Sequence, residues 1–220
     1  MKSCRWQLAI VLLLACFALG ANYAQRRLES MDLRLKSMEV YMYVPSADFL
    51  KSFTFGFDQL IADYFWIKTI GYFGDQFKTT RKYPWLYHIL DLVTTLDPNF
   101  RWPYYFGGII LSLEAKQVDQ SNLLLKKAMR HYPQDWKFPF YLGFNYWYHL
   151  KDPATAASYI EKAARLPKAP RYLHTFPATL YCQAGKTQTA LTFLREMEQA
   201  VQDTKMKEHI SKKIRNLERQ

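Results

Sequence analysis

The chain has 220 residues, half of them hydrophobic, with 15 Phe, 16 Tyr and 6 Trp, and its 30 Lys and Arg outnumber 19 Asp and Glu for a formal charge of +11. This length holds one folded unit plus an appendage rather than a multidomain machine, and the apolar content excludes disorder for the bulk of it. Only 8 Gly and 10 Pro interrupt the chain, which favours long helices and argues against an all-β sandwich.

Trp6 to Gln25 is a run of 20 residues without a charge. At about 1.5 Å per residue it matches a hydrocarbon core of roughly 30 Å, so residues 1–25 are expected to form a signal-anchor or transmembrane helix. The same stretch also reads as a cleavable signal peptide, with small residues around Ala18 to Ala21, or as a lipoprotein signal ending at Cys16. Phe17 and the bulky Leu14 suit lipidation poorly, and cleavage would leave Arg26-Arg27 at the start of the mature chain, so retention is preferred. Lys2 and Arg5 on one flank oppose Arg26, Arg27, Arg34 and Lys36 on the other, so charge alone does not orient the segment. By analogy with short basic N-termini of bacterial envelope proteins, the expectation is a single-pass protein of the inner (cytoplasmic) membrane with its body in the periplasm.

Residues 26–45 are expected to form a stalk. Leu28, Met31, Leu35 and Met38 follow heptad-like spacing, read as the anchor helix continuing outward, with self-association through the stalk as the alternative. Val40 to Val44 is β-branched and aromatic, and Pro45 with Ser46 ends it and begins the body at an N-cap.

In the body, residues 46–199, Phe106-Gly107 and Leu142-Gly143 are matching pairs 36 residues apart. Ala128 precedes Pro133 and Ala163 precedes Pro167, with Leu125 and Ile160 three residues before each Ala, and Pro98, Pro133 and Pro167 are spaced by 35 and 34. Tyr181, Gly185, Ala190 and Leu194 continue the pattern. Residues 54–74 are expected to form an aromatic-rich opening helix followed by a long loop from Gly74 to Tyr83. Residues 200–220 are expected to form a capping helix with Met206, Ile210, Ile214 and Leu217 on one stripe.

These residues resemble the tetratricopeptide repeat (TPR), whose unit of about 34 residues has a large residue and Gly in its first helix, an inter-helix Gly, an Ala in its second helix and a terminal Pro. The resemblance covers roughly residues 54–199 and marks a divergent, membrane-anchored bacterial member. Lys116 and Lys151 stand where the inter-helix Gly would be, and residues 54–98 match weakly. The resemblance implies an all-α, TPR-like right-handed helical-hairpin solenoid of about 3 to 4 repeats behind the N-terminal helix. In that family the first helices line a groove that binds a protein partner. Carried over by position, the groove residues are Arg101, Tyr104 and Leu111, then Lys137, Phe140, Phe144 and Trp147, then Tyr172, Thr175 and Thr179. Cations among aromatics suit an acidic or amphipathic peptide, although Phe144 and Trp147 read equally well as packing residues.

Chemistry is not legible. Gly185-Lys186-Thr187 lacks the earlier glycine of a phosphate-binding loop, since Leu180 stands there. His88, His131, His149, His174 and His209 show no ligand spacing, and three cysteines assemble neither a disulfide framework nor a four-Cys zinc site. Cys182 reads as a small buried hydrophobe. No enzyme, cofactor or metal is expected, and without a recognition motif the positive charge is assigned to acidic protein partners or anionic lipid rather than nucleic acid. The expected function is a scaffold in assembly of an envelope complex such as a pilus, secretion or export apparatus. The alternative is an accessory subunit of a membrane enzyme or transporter.

Overall fold

The computed structural model describes residues 20–23 and 44–219. The chain divides into two compact units, residues 1–44 and 45–220. In the first, residues 20–23 are helical. The rest of the anchor at 1–25 and nearly all of the stalk at 26–45 lie outside the described residues. Among the described residues, no helix is long and apolar enough to cross a membrane.

The second unit is all helical among its described residues. Ser46 begins it as expected, its hydroxyl accepting from the amide of Phe49 at 3.4 Å to cap α1 (Ala47–Lys51). There follow α2 (Asp58–Lys78), α3 (Leu86–Leu96), α4 (Arg101–Leu113), α5 (Val118–His131), α6 (Lys137–Tyr148), α7 (Pro153–Ala164), a 3-10 turn (Arg171–His174), α8 (Phe176–Gln183), α9 (Thr187–Ala200) and α10 (Thr204–Glu218). Each helix from α2 onward packs on the next. In addition α4 meets α6 and α3 meets α5, so first helices touch first helices and second helices touch second helices of neighbouring hairpins. That is the stacking of a helical solenoid, in which no hairpin buries its apolar face alone.

The repeated residues do what their spacing demands. A Cβ on Gly107 would collide with the Leu124 side chain and stand 2.9 Å from Leu90 Cδ1, and one on Gly143 would lie 2.5 Å from Ile160 Cγ1. These two glycines let α4 and α6 approach α5 and α7 closely. Ala128, Ala156, Ala163 and Ala190 are fully buried at the same crossings. In α5 the missing small residue is supplied by buried Ser121, whose hydroxyl donates to the Gly108 carbonyl at 2.7 Å and accepts from Asn145 Nδ2 of α6 at 2.9 Å. This pairing satisfies polar groups in the middle of the core.

The Lys residues at the inter-helix turns are an exact conformational substitute for glycine. Lys116 (φ +59°) and Lys151 (φ +55°) adopt the left-handed conformation that Gly185 (φ +71°) adopts in the last hairpin. In both Lys turns the next amide reaches back six residues, Gln117 to the Leu111 carbonyl at 2.7 Å and Asp152 to Tyr146 at 2.9 Å. At Gly185 the next amide, that of Lys186, reaches back five residues to the Tyr181 carbonyl at 2.8 Å, a Schellman closure, so the Lys turns keep the left-handed residue and close over one residue more.

Two expectations are corrected. The opening helix is not 54–74: it runs Asp58–Lys78, with Gly71 and Gly74 inside it, and α1 precedes it. The connection that follows is residues 79–85, and it is held to the turn between α4 and α5, Tyr83 donating to Glu114 Oε1 at 3.0 Å while Gln117 Nε2 donates to the Tyr83 carbonyl at 3.1 Å. The last first helix is also broken. Pro177 falls in the first turn of α8, where a missing amide is tolerated, and Thr175 (φ −130°) is the break that splits 171–183 into a 3-10 turn and a short helix. At the C-terminal end α10 packs on α9, with Ile210 and Ile214 buried and Met206 and Leu217 packed beside them.

Candidate binding face

The turn of the α-helix decides which side chains of α4 are free. Tyr104, Gly107, Gly108 and Leu111 form the buried stripe, so Trp102, Tyr105, Ile109 and Leu113 face the other way. On α6 the corresponding side chains are Lys137, Phe140, Tyr141 and Phe144. Two adjoining clefts lie between the two helices, and a third opens from the second onto the turns that follow α5 and α7. The first, about 190 Å³, is lined by Ile109, Leu113, Phe140, Tyr141 and Phe144, with Ser112 and Asn145 beneath. The second, about 370 Å³, shares Ile109 and Tyr141 and adds Trp102, Tyr105, Arg101 and Lys137. The third, about 630 Å³, shares Arg101 and Lys137 and continues past His131, Trp136 and Lys168. The trough therefore runs from an apolar end through a ring of aromatics to a basic end.

Asp135 organises the middle of it. Its buried carboxylate accepts from Arg101 Nε at 3.1 Å and from the Lys137 amide at 3.2 Å, and Arg101 Nη2 and the Tyr105 hydroxyl reach the same carboxylate. Burial pushes this carboxyl up, but the hydrogen bonds from Tyr105, Arg101 and the Lys137 amide outweigh it and hold the group below its usual value, so Asp135 stays ionised at neutral pH. Burial and the bond to Asp135 raise the Tyr105 phenol, which keeps it a donor. The Tyr105 ring stacks on Phe138 at 4.6 Å, with Lys137 Nζ 5.1 Å and the Arg101 guanidinium 5.4 Å from its centroid. Both cations are thus positioned over an aromatic face.

The sequence-predicted groove residues divide. Arg101, Lys137, Phe140 and Phe144 line the trough. Tyr104 and Leu111 do not: both are fully buried, Tyr104 donating to the Thr94 carbonyl at 3.2 Å, and a side chain without accessible surface cannot touch a partner. The groove register on α4 is set instead by Tyr105 and Ile109. Trp147 is half-buried and meets Phe176 edge-to-face at 5.6 Å, so it joins α6 to α8. Tyr172 is exposed and its ring lies 6.2 Å from Phe140, extending the aromatic wall. Thr175 and Thr179 are engaged from α10, Lys213 Nζ donating to the Thr175 carbonyl at 3.1 Å and to Thr179 Oγ1 at 2.7 Å. Burial lowers the pKa of this lysine.

Sequence reasoning missed Trp102, Tyr105, Ile109, Tyr141 and Asp135. A signal for Tyr105 and Ile109 was present: Gly107 marks the close-packed face of α4, so residues two before and two after it on the helix face outward. Asp135 sits in the turn before α6 and carries no local signature.

Among the described residues no three His, Cys, Asp or Glu side chains converge to hold a metal. Burial lowers the pKa of His149 and His174, with help from Lys116 and Lys151 for the first and Arg171 for the second, which keeps both neutral at pH 7. Burial holds the trough tyrosines Tyr105 and Tyr141 protonated, and Asp135 is tied up by donors.

No family model and no curated protein matches the chain. Among solved structures it is similar to MamA, residues 41 to the end, from Desulfovibrio magneticus RS-1, at 19% identity and a TM-score of 0.43, covering 84% of this chain and 97% of that one. It is similar also to a MamA RS-1 ArsTM double mutant, at 20% identity and a TM-score of 0.44, covering 83% and 94%. The solenoid is established by the hairpin stacking itself.

Proposed function

We propose that the protein is a scaffold that holds an acidic, amphipathic segment of a partner protein in the trough between α4 and α6. The observation that carries this reading is the polarity gradient of the three adjoining clefts, apolar around Phe144 and Ile109 and basic around Arg101, Lys137 and Lys168. Aromatic side chains with cations over their faces give a site large contact area at low entropic cost, which is how peptide-binding surfaces gain affinity. In this reading the charge-free stretch within residues 1–25 anchors the chain in the inner membrane with the body on the periplasmic side, and the captured partner is a subunit of an envelope complex such as a pilus, secretion or export apparatus.

The test is photo-crosslinking from the full chain in native membranes with a photoreactive residue in place of Ile109. A single partner protein is expected, joined within a segment rich in Asp, Glu and apolar residues. Lys137→Glu should cut the yield about tenfold, because it reverses a charge in a half-desolvated site, whereas Lys126→Glu on α5 should leave it unchanged. Equal yields from both variants, or a basic linked segment, would remove the trough as the working surface.

A further inference from the structure

A cation recurs in the hairpin turns at a fixed interval. Arg81, Lys116, Lys151 and Lys186 each follow the last by 35 residues, and all four are exposed. The turns stand side by side: Arg81 pairs with Glu114 at 3.4 Å, Lys116 and Lys151 both bear on His149, and Lys186 bears on Asp152. Hairpins stacked about 10 Å apart spread the four charges over roughly 30 Å of one edge. Arg81 (φ +53°), Lys116 (φ +59°) and Lys151 (φ +55°) hold the left-handed conformation that glycine adopts without strain. A basic side chain kept at three such positions points to a use beyond closing the turn. Each also has an exposed apolar neighbour. The Arg81 guanidinium lies 4.6 Å from the Phe77 ring centroid, Lys151 Nζ lies 5.2 Å from that of Tyr148, and Lys116 Nζ donates to the Leu113 carbonyl at 2.6 Å. Phe77, Leu113, Tyr148 and Leu150 are between 43% and 52% exposed.

We propose that this edge lies against an anionic lipid surface, with its cations on the lipid phosphates and Phe77, Leu113, Tyr148 and Leu150 entering the headgroup layer. Charge selects the edge. Its connections, residues 79–85, 114–117, 149–152 and 184–186, hold five cations against Glu114 and Asp152. Both carboxylates are engaged, Glu114 by Arg81 and Asp152 by the Thr155 amide at 3.0 Å. On the opposite edge residues 97–100, 132–136, 165–175 and 201–203 hold three cations against Asp97, Asp135 and Asp203. Side-chain chemistry selects the partner. Cations meet phosphate oxygens at the surface of a bilayer while apolar side chains beside them reach the acyl boundary, so the two kinds belong together in a lipid contact. A polynucleotide would take the cations but bind through stacked aromatics, which leaves Leu113 and Leu150 without a role. Residues 24–43 carry four basic and three acidic residues, so they bring no excess of negative charge to this edge. The edge holds lipid whether or not the trough holds a partner.

The full chain, with Cys4, Cys16 and Cys182 replaced by Ser, is reconstituted into vesicles with brominated acyl chains, made of phosphatidylcholine alone or with about one-third phosphatidylglycerol. A fluorophore on Leu150→Cys is expected to lose about half its emission in the anionic vesicles, to keep it in phosphatidylcholine alone, and to recover it in roughly 0.5 M salt, where the attraction is screened. The same label on Asn99→Cys, exposed on the opposite edge, should stay bright in both. Lys116→Asn, Lys151→Asn and Lys186→Asn together remove three charges with a residue that tolerates both a left-handed turn and an N-cap, so helicity and melting should hold while quenching at Leu150 falls about fivefold or more. Quenching that is absent in anionic vesicles, equal at the two edges, equal in the two lipids or retained by the triple variant overturns the proposal. A label that ignores the vesicles but responds to single-stranded RNA assigns the edge to a polynucleotide and overturns it as well.

Discussion

The two ends of the solenoid finish in opposite ways. At the C-terminal end α10 lays Ile210 and Ile214 onto the core and turns Lys205, Lys207, Glu208, Lys212 and Arg215 outward, and Lys213 reaches back to Thr175 and Thr179. At the N-terminal end α2 is apolar on both sides, its inner face carrying Trp66 and Phe73 against Phe106 of α4, its outer face showing Leu60, Tyr64 and Ile67 to solvent. A solenoid needs a polar outer surface on its terminal helices to be soluble, and among the described residues only the C-terminal end presents one. The difference separates a helix that ends a stack with a charged outer face from one whose outer face carries an apolar stripe flanked by Asp63, Lys68 and Asp75.

Side-chain truncation makes the largest difference between them. Ile210→Ala removes a fully buried side chain and is expected to cost about 2–5 kcal/mol, with α10 detaching first. Ile67→Ala is expected to stay within about 0.5 kcal/mol. Urea unfolding of both variants reads this directly. Equal costs would mean that the α2 face is covered within one chain.

Much of this architecture is legible in the sequence because close packing leaves a mark on residue size. Gly107, Gly143, Ala128 and Ala163 are small where helices cross, and Pro98, Pro133 and Pro167 follow the second helices, so hairpins and period can be read without coordinates. What the sequence hides is of two kinds. A left-handed turn can be closed by lysine, as at Lys116 and Lys151, because the backbone hydrogen bonds from Gln117 to Leu111 and from Asp152 to Tyr146 hold the chain there whatever the side chain. The lining of the trough depends on the rotation of α4 by one residue, which moves Tyr104 into the core and Tyr105 into the trough. Aromatic residues occupy both positions, so hydrophobicity does not choose between them. Asp135 escapes for a different reason: its partners Arg101 and Tyr105 are 34 and 30 residues away, and only the stacking of hairpins brings them together.

Glycine to alanine gives the next largest contrast, and its sign reverses. In the interior, Gly143→Ala places a methyl 2.5 Å from Ile160 Cγ1 and 3.0 Å from the Ala156 carbonyl oxygen, which is backbone and cannot step aside. Overpacking of this kind is expected to cost about 1–3 kcal/mol. At the open end, Gly71→Ala meets no atom of the described residues within 4 Å and removes backbone entropy from the unfolded chain, so the protein should gain about 0.5–1 kcal/mol. Thermal melts of the two variants check the opposite signs. Destabilisation by Gly71→Ala would show that something already approaches this helix.

The smallest effect tests how firmly the closed end is latched. Asp203 caps α10, accepting from the Lys205 amide at 2.9 Å and the Met206 amide at 3.2 Å, and it also pairs with Arg171 at 2.8 Å. The Arg171 side chain is 73% exposed, so water screens that ion pair and the cap carries nearly all of the effect. Asp203→Ala is expected to cost about 1 kcal/mol, the ordinary value of a lost N-cap, and Asp203→Asn, which keeps the acceptor, only a fraction of that. The loss should fall on α10 alone: hydrogen exchange should quicken across Thr204–Glu218 while α2 and α3 keep their wild-type protection, because each hairpin of a solenoid touches only its neighbours. Faster exchange spreading to α2 would mean that the two ends are coupled along the stack, and the closed end would then be stabilising the open one at a distance.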